Sequence, residues 1–168
     1  MTDRSLPRDT VARVIRTLKR RGVNYADVRY EHLLHESLVV EQGRVSSISL
    51  FESAGIGIRV LTKGSWGFAA TPHLTREHLA RAVSQAIELA NASAILNRQP
   101  RPLAPAVTVR ARHTSRFTID PFDVPLSKKL DYLLWANTTL LGPKAIKRAT
   151  SHMDFYKRRK LFCSTEGA

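Results

Sequence analysis

The sequence predicts an α+β fold. It has a mainly antiparallel sheet of about five strands packed by two helices, then a linker and a partial second segment of helix plus strand. Three observations carry this expectation. Apolar residues recur at helical spacing in two stretches, Val11–Leu18 and Leu79–Ala90. Between Tyr25 and Thr71 the apolar period drops to two. The chain of 168 residues is 43% apolar and 24% charged, a globular composition rather than that of a disordered tail.

The elements follow in order. "TVARVIRTLKRRG" places Val11, Val14, Ile15 and Leu18 on one stripe, with basic residues on the other face and Gly22 as a C-terminal stop. In "YADVRYE", Ala26, Val28 and Tyr30 alternate with Asp27, Arg29 and Glu31, which predicts a strand with one wet face. "SLVVEQGRVSSISLFES" reads as two further strands turning near Gln42–Gly43.

The segment "AGIGIRVLTKGSWGFAAT" then holds four of the eight glycines, Gly55, Gly57, Gly64 and Gly67, among strong strand formers. A two-residue turn at Lys63–Gly64 sets a register. It places Leu61 opposite Trp66, Val60 opposite Gly67, Arg59 opposite Phe68 and Ile58 opposite Ala69. Gly57 and Gly67 then make room for bulky neighbours, Phe68 covers Gly57, and Gly55 permits a bulge or close packing. A phosphate-binding glycine loop is excluded, because it needs a helix directly after the glycines and here a strand follows.

"PHLTREHLARAVSQAIELAN" is the clearest helix. Thr75 is the N-cap, Leu74 and Leu79 occupy the staple positions, and Leu79, Ala82, Val83, Ala86, Ile87 and Ala90 form the buried stripe. Its alanines allow close approach to a sheet. From Ile95 to Phe117 periodicity fades among Pro100, Pro102 and Pro105 and five arginines, Arg98, Arg101, Arg110, Arg112 and Arg116. "VTVRA" could form a short edge strand there. A helix follows, with Leu130, Leu133, Leu134 and Leu141 on one face and Gly142–Pro143 at its end. A final strand leads into a turn at Glu166–Gly167. The predicted organisation is a domain over 1–95, a linker over 96–118 and the start of an incomplete second domain over 119–168. The last strand is expected to stand alone, with its edge unpaired.

The formal net charge is +13, with +4 on residues 1–95 and +9 on residues 96–168. A basic half is compatible with nucleic acid or an acidic partner. Without a finger, an RNA-binding signature or interleaved aromatics, solvated arginine-rich faces account for it more simply. No apolar run approaches the roughly 20 residues of a membrane helix, and "MTDRSLPRDT" lacks a signal-peptide core. The expected location is the cytoplasm, with no membrane partner. Cys163, the single cysteine, excludes an internal disulfide.

No catalytic or metal-binding constellation is legible. "HLLHE" supplies His32, His35 and Glu36, but in the wrong order for a zinc peptidase, and in a strand-to-turn region where residues three apart point to opposite faces. His78 suits a first-turn surface position, Ser65 lies in a turn without a base, and Cys163 is a half-buried thiol beside Phe162.

The ordered set of features resembles the N-terminal region of the TldD/PmbA family. The family has a strand ending in Arg and an acidic residue, a hairpin around Asn/Gln-Gly, a Gly-x-Gly-x-Arg-Val strand, a Gly-x-x-Gly-Phe-Ala strand and an alanine-rich helix. These fall on Arg29 and Glu31, on Gln42 and Gly43, on Gly55, Gly57, Arg59 and Val60, and on Gly64, Gly67, Phe68 and Ala69. "DPFDVPLSKKLDYL" resembles the helix opening the family's next segment, and "STEGA" the first half of its next hairpin.

The resemblance implies a longer parent, either a cytosolic zinc metallopeptidase acting on peptides or an inactive partner of one. The family has also carried the label modulator of DNA gyrase. Its active type has a His-Glu-x-x-x-His motif on a helix and a distant further ligand. After His35–Glu36 the second histidine's place is held by Val40, and Cys163 does not match the distant ligand. The resemblance therefore transfers no catalytic and no metal residue to this chain; zinc is expected only in a full-length active member. What it transfers is a structural motif: Gly43, Gly55, Gly57, Arg59, Gly64, Trp66, Gly67 and Phe68. The expected partners are a TldD/PmbA-type subunit in a homo- or heterodimer and, for the whole protein, a peptide substrate. The alternative is a basic nucleic-acid-binding, dimerisation or scaffold module without activity.

Overall fold

The computed structural model describes residues 6–97, 99, 103–104 and 107–167. Helix α1 (Arg8–Arg20) buries the four apolar residues of its predicted stripe, and the chain leaves it through Gly22 at φ +69°. Strand β1 (Tyr25–Glu41) and strand β2 (Arg44–Thr62) form a long hairpin, and β3 (Ser65–Thr71) returns along β2. Helix α2 (Arg76–Leu96), a 3-10 turn (Pro121–Asp123), helix α3 (Leu126–Leu141) and strand β4 (Thr150–Ser164) complete the order.

The sheet is antiparallel, with four strands in the order β3-β2-β1-β4. The prediction of about five strands counted breaks that do not occur. "YADVRYE" and "SLVVE" are one strand, as are "RVSSISLFES" and "GIGIRVLT". Neither His32–Leu34 nor Ser53–Ala54 contains Gly, Pro, Asn or Asp, and the strand continues through both. "HLLHE" is accordingly strand throughout. Nor does the last strand stand alone: β4 lies beside β1. "VTVRA" forms no strand; Thr108 instead donates to the Glu166 carbonyl at 3.1 Å and Arg110 to that of Gly167 at 3.1 Å. Arg98, Pro100, Arg101, Pro102 and Pro105 of the expected linker lie outside the described residues.

Two compact units divide the chain, one from Met1–His32, Ser53–Arg112 and Arg159–Ala168, the other from Leu33–Glu52 and His113–Arg158. In the first, α1 and α2 pack on one sheet face. Val11, Leu18, Val28, Ile58, Val60 and Ala86 are fully buried at the centre of that core. The β2–β3 register is the predicted one, Arg59 opposite Phe68 and Leu61 opposite Trp66. Lys63 and Gly64 both have positive φ, +49° and +72°, as a tight hairpin turn requires. Thr75 caps α2 by accepting from the His78 amide at 3.4 Å. Gly67, expected to make room for a neighbouring strand residue, serves the helix instead. A Cβ there would overlap the Ala86 carbonyl oxygen and the Ala90 amide nitrogen, so its absence lets α2 lie directly on β3.

In the second unit α3 covers Leu38 and Val40 with Leu133, flanked by Leu130, Leu134 and Met153. Its buried face is not purely apolar. Lys129 pairs with Glu36 and lies over the rings of Phe155 and Phe122 at 4.9 and 5.8 Å. Asn137, fully buried, accepts from the Gly43 amide at 2.8 Å. It also donates to the Val40 carbonyl at 3.2 Å and to Ser151 at 3.0 Å. One amide side chain thus ties the β1–β2 turn and β4 to the helix.

Candidate functional site

The core face of the first unit takes every second residue of β1, β2 and β3, so the alternating residues stand on the opposite face. That face carries Tyr25, Asp27, Arg29 and Glu31 from β1, Gly55, Gly57 and Arg59 from β2, and Trp66, Phe68 and Ala70 from β3. A cavity of about 430 Å³ opens on it, lined by Asp27, Arg29, Glu31, Arg59, Phe68 and the β2 backbone from Ser53 to Gly57, among others.

At its base lies Asp27, predicted as a wet-face residue but only 1% exposed. Arg59 donates to one carboxylate oxygen from Nε at 2.8 Å and Nη2 at 2.6 Å. Arg29 donates to the other from Nε at 3.2 Å. Buried carboxylates persist when charged hydrogen bonds replace water, and two guanidinium groups supply them here. The aromatics fix the arginines from outside. Arg59 lies 4.5 Å from the Trp66 ring centroid, and Arg29 5.3 Å from that of Phe162. Tyr25 meets Trp66 edge-on, with centroids 5.9 Å apart. Burial, then the Asp27 charge, pushes the Tyr25 hydroxyl above its ordinary pKa.

Of the eight motif residues, five cluster here. Gly55, Gly57, Arg59 and Phe68 line the cavity and Trp66 stacks beside it. Gly57 has the predicted relation to Phe68: a Cβ would stand 3.1 Å from the ring. Gly55 is a close approach rather than a bulge, its Cβ position 3.3 Å from the Thr71 carbonyl oxygen. Gly64 makes the turn, Gly67 faces α2, and Gly43 belongs to the β1–β2 turn in the other unit. Asp27 was the residue that sequence reasoning missed. Alternation with Arg29 and Glu31 accounts for Asp27 as a wet-face residue, so the sequence pattern does not single it out.

Zinc donors do not gather on these strands. Among the described residues no three His, Cys, Asp or Glu side chains converge on one point. His35 instead pairs with Asp154 at 2.9 Å and stacks on Tyr156, with centroids 4.1 Å apart. His73 and His78 face each other at 4.7 Å, and His78 Nδ1 lies 2.7 Å from the Thr75 hydroxyl. Ser65 is held by Asn97 at 2.8 Å, and Cys163 is half-buried against the core. The described donor set therefore does not fit a zinc centre. Among the described residues no helix is long and apolar enough to cross a membrane.

In the first unit, antiparallel strands with α1 and α2 on one face and an arginine–carboxylate cluster on the other define an α+β domain. Residues 26–90 match the family model described as PmbA/TldA metallopeptidase domain 1, so this part of the chain is similar to the first domain of that family. A metalloprotease of Methanocaldococcus jannaschii is 22% identical over 86% of this chain and 32% of its own length. A metalloprotease of Methanothermobacter thermautotrophicus is 28% identical over 87% and 31%. Among solved structures, a protein of Bacteroides thetaiotaomicron named for modulation of DNA gyrase superposes with TM-score 0.80 at 13% identity, over 96% of this chain and 37% of that one. TldE of Thermococcus kodakarensis gives 0.67 at 16%, over 94% and 35%. These structural likenesses establish the fold. The chain spans about a third of the length of the relatives it matches.

Proposed function

We propose that this chain acts as the amino-terminal, non-catalytic part of a TldD/PmbA-type metallopeptidase or of its inactive paralogue, in cytoplasmic peptide proteolysis or maturation. The observation that carries the reading is the match of residues 26–90 to the family's first domain, in a chain whose described residues bring no metal donor set together. Zinc and the catalytic helix belong, on this reading, to the remaining two thirds of a full-length active relative. The test is incubation of the purified chain with unfolded peptides and zinc. No cleavage is expected, and robust zinc-dependent turnover by this chain alone overturns the assignment.

A second feature supports the expected dimer with a TldD/PmbA-type subunit. β3 pairs with Ile56–Thr62 of β2, and Val45, Ile48, Leu50 and Phe51 of β2 are 42–67% exposed. An exposed apolar strand segment is a ready interface. Light scattering of the chain should show a dimer that Leu50→Glu weakens. A monomer at high concentration, alone and with a family subunit, removes both the dimer and the scaffold reading.

A further inference from the structure

We infer that the cavity on the open sheet face binds a carboxylate carrying a short apolar group, as the C-terminal residue of a peptide does. The argument rests on which nitrogen atoms are already used. Asp27 takes Arg29 through Nε alone, which leaves both Nη nitrogens of Arg29 for a ligand. It takes Arg59 through Nε and Nη2, which leaves Nη1. A guanidinium edge with two parallel N–H groups matches a carboxylate in bidentate geometry.

The unused guanidinium donors select an anion. The acidic side chains lining the cavity are both engaged by cations: Asp27 by the two arginines, and Glu31 by Lys160 at 3.4 Å. The four charged residues of the lining sum to zero, so an anion is held by the N–H groups that Asp27 leaves over rather than by net charge. The arginines are also held in advance of any ligand, by Asp27 below and by Phe162 and Trp66 beside them. Fixed donors lose little freedom on binding.

Shape supplies the apolar half. Phe68, 59% exposed, forms one wall, with Ala54 and Ala70 beside it. Gly55 and Gly57 keep the floor at backbone height; a Cβ on Gly57 would press against the Phe68 ring. A volume of about 430 Å³ lies at the small end of ligand pockets, enough for one or two amino-acid residues.

The probes are N-acetyl-phenylalanine and a tripeptide ending in phenylalanine, each as free acid and as amide. Two-dimensional NMR of the whole chain would follow the Arg29 and Arg59 Nε–H and Trp66 indole signals. Both acids, or the tripeptide acid alone, should shift these signals saturably, the difference showing whether a free small acid suffices. The amides should bind at least about tenfold more weakly. Arg29→Gln and Phe68→Ala change exposed side chains, and each should weaken the acids about tenfold while the circular dichroism spectrum is retained. Amides that bind as well as the acids, folded variants with unchanged affinity, or no saturable shift up to about 10 mM acid overturn the inference.

Discussion

Arg59 spends two of its nitrogens on a single oxygen of Asp27, at 2.8 and 2.6 Å, and thereby joins β2 to β1 on the face opposite the core. The pair lies beneath exposed aromatics, and Asp27 itself is out of water. Asp27→Asn keeps the shape and removes the charge, turning an NH2 group toward a guanidinium. The substitution should cost about 1–3 kcal/mol in urea denaturation, the range for spoiling a buried charged hydrogen bond. A loss below about 0.5 kcal/mol would mean that the negative charge of Asp27 contributes little to stability.

Glycine substitutions separate two physical reasons for the same residue. At Gly67 the backbone of α2 occupies the space of a Cβ, so Gly67→Ala must push helix from sheet. A cost of at least about 2–3 kcal/mol is expected, with the melting temperature falling accordingly. At Gly22 nothing lies within 4 Å, but φ is +69°. There the alanine penalty is conformational only, about 1–2 kcal/mol. Equal costs at the two sites would remove the close helix–sheet contact as an explanation.

These contrasts mark what the sequence could and could not reveal. Local chemistry was legible: the α1 stripe, the Thr75 cap, the Lys63–Gly64 turn and hence the Arg59–Phe68 register all follow from neighbours in the chain. Long-range placement was not. Alternation puts Asp27 on the open face but does not reveal that Arg59, 32 residues on, closes over it. Gly67 looked like a response to Val60 because the strand register was visible and the helix docking was not. Lys129 and Asn137 fall on the buried face of α3 for the sake of Glu36 and the Gln42–Gly43 turn, partners about 93 residues away in sequence.

Asn137 makes its own prediction. Asn137→Ala removes three hydrogen bonds at once, those with the part-buried Gly43 amide, the Val40 carbonyl and the Ser151 hydroxyl. The expected loss is about 2–3 kcal/mol. Hydrogen exchange at Gly43 should quicken more than at the Lys63–Gly64 turn, which Asn137 does not touch. Uniform quickening at both turns would show that the effect is global rather than local.

Acid stability should depend on Asp154. Its hydrogen bond with His35, then that with Ser37, holds its carboxyl below the ordinary carboxylate range. A depressed folded-state pKa stabilises the fold above the unfolded value, about 3.9. The contribution is lost as pH falls through the folded value. Asp154→Asn should therefore lower stability at pH 5–6, and its curve should converge with that of the unchanged chain as pH drops below about 4. A constant difference between the curves from pH 6 to pH 3 would rule out the ionised carboxylate as the source.

The last prediction concerns cleavage. From Val107 to Phe117 the chain is exposed and without regular structure. Arg110 is held by the Gly167 carbonyl, whereas Arg112 and Arg116 are exposed in a stretch with no strand or helix around them. Trypsin should cut first at Arg112 or Arg116, because a protease needs several residues of extended, accessible backbone. Composition alone suggests that the C-terminal piece would then be lost, as one helix and a lone strand. The sheet argues otherwise. β4 hydrogen-bonds to β1, and Leu133 and Met153 pack with Leu38 and Val40 from the other side of the cut. Two chains joined by strand pairing and a shared apolar cluster should stay together after one peptide bond is broken. The nicked protein should give two bands under denaturing electrophoresis and a single peak on size exclusion. Prompt release of the C-terminal fragment on size exclusion would mean that β4 is not held in the sheet as described.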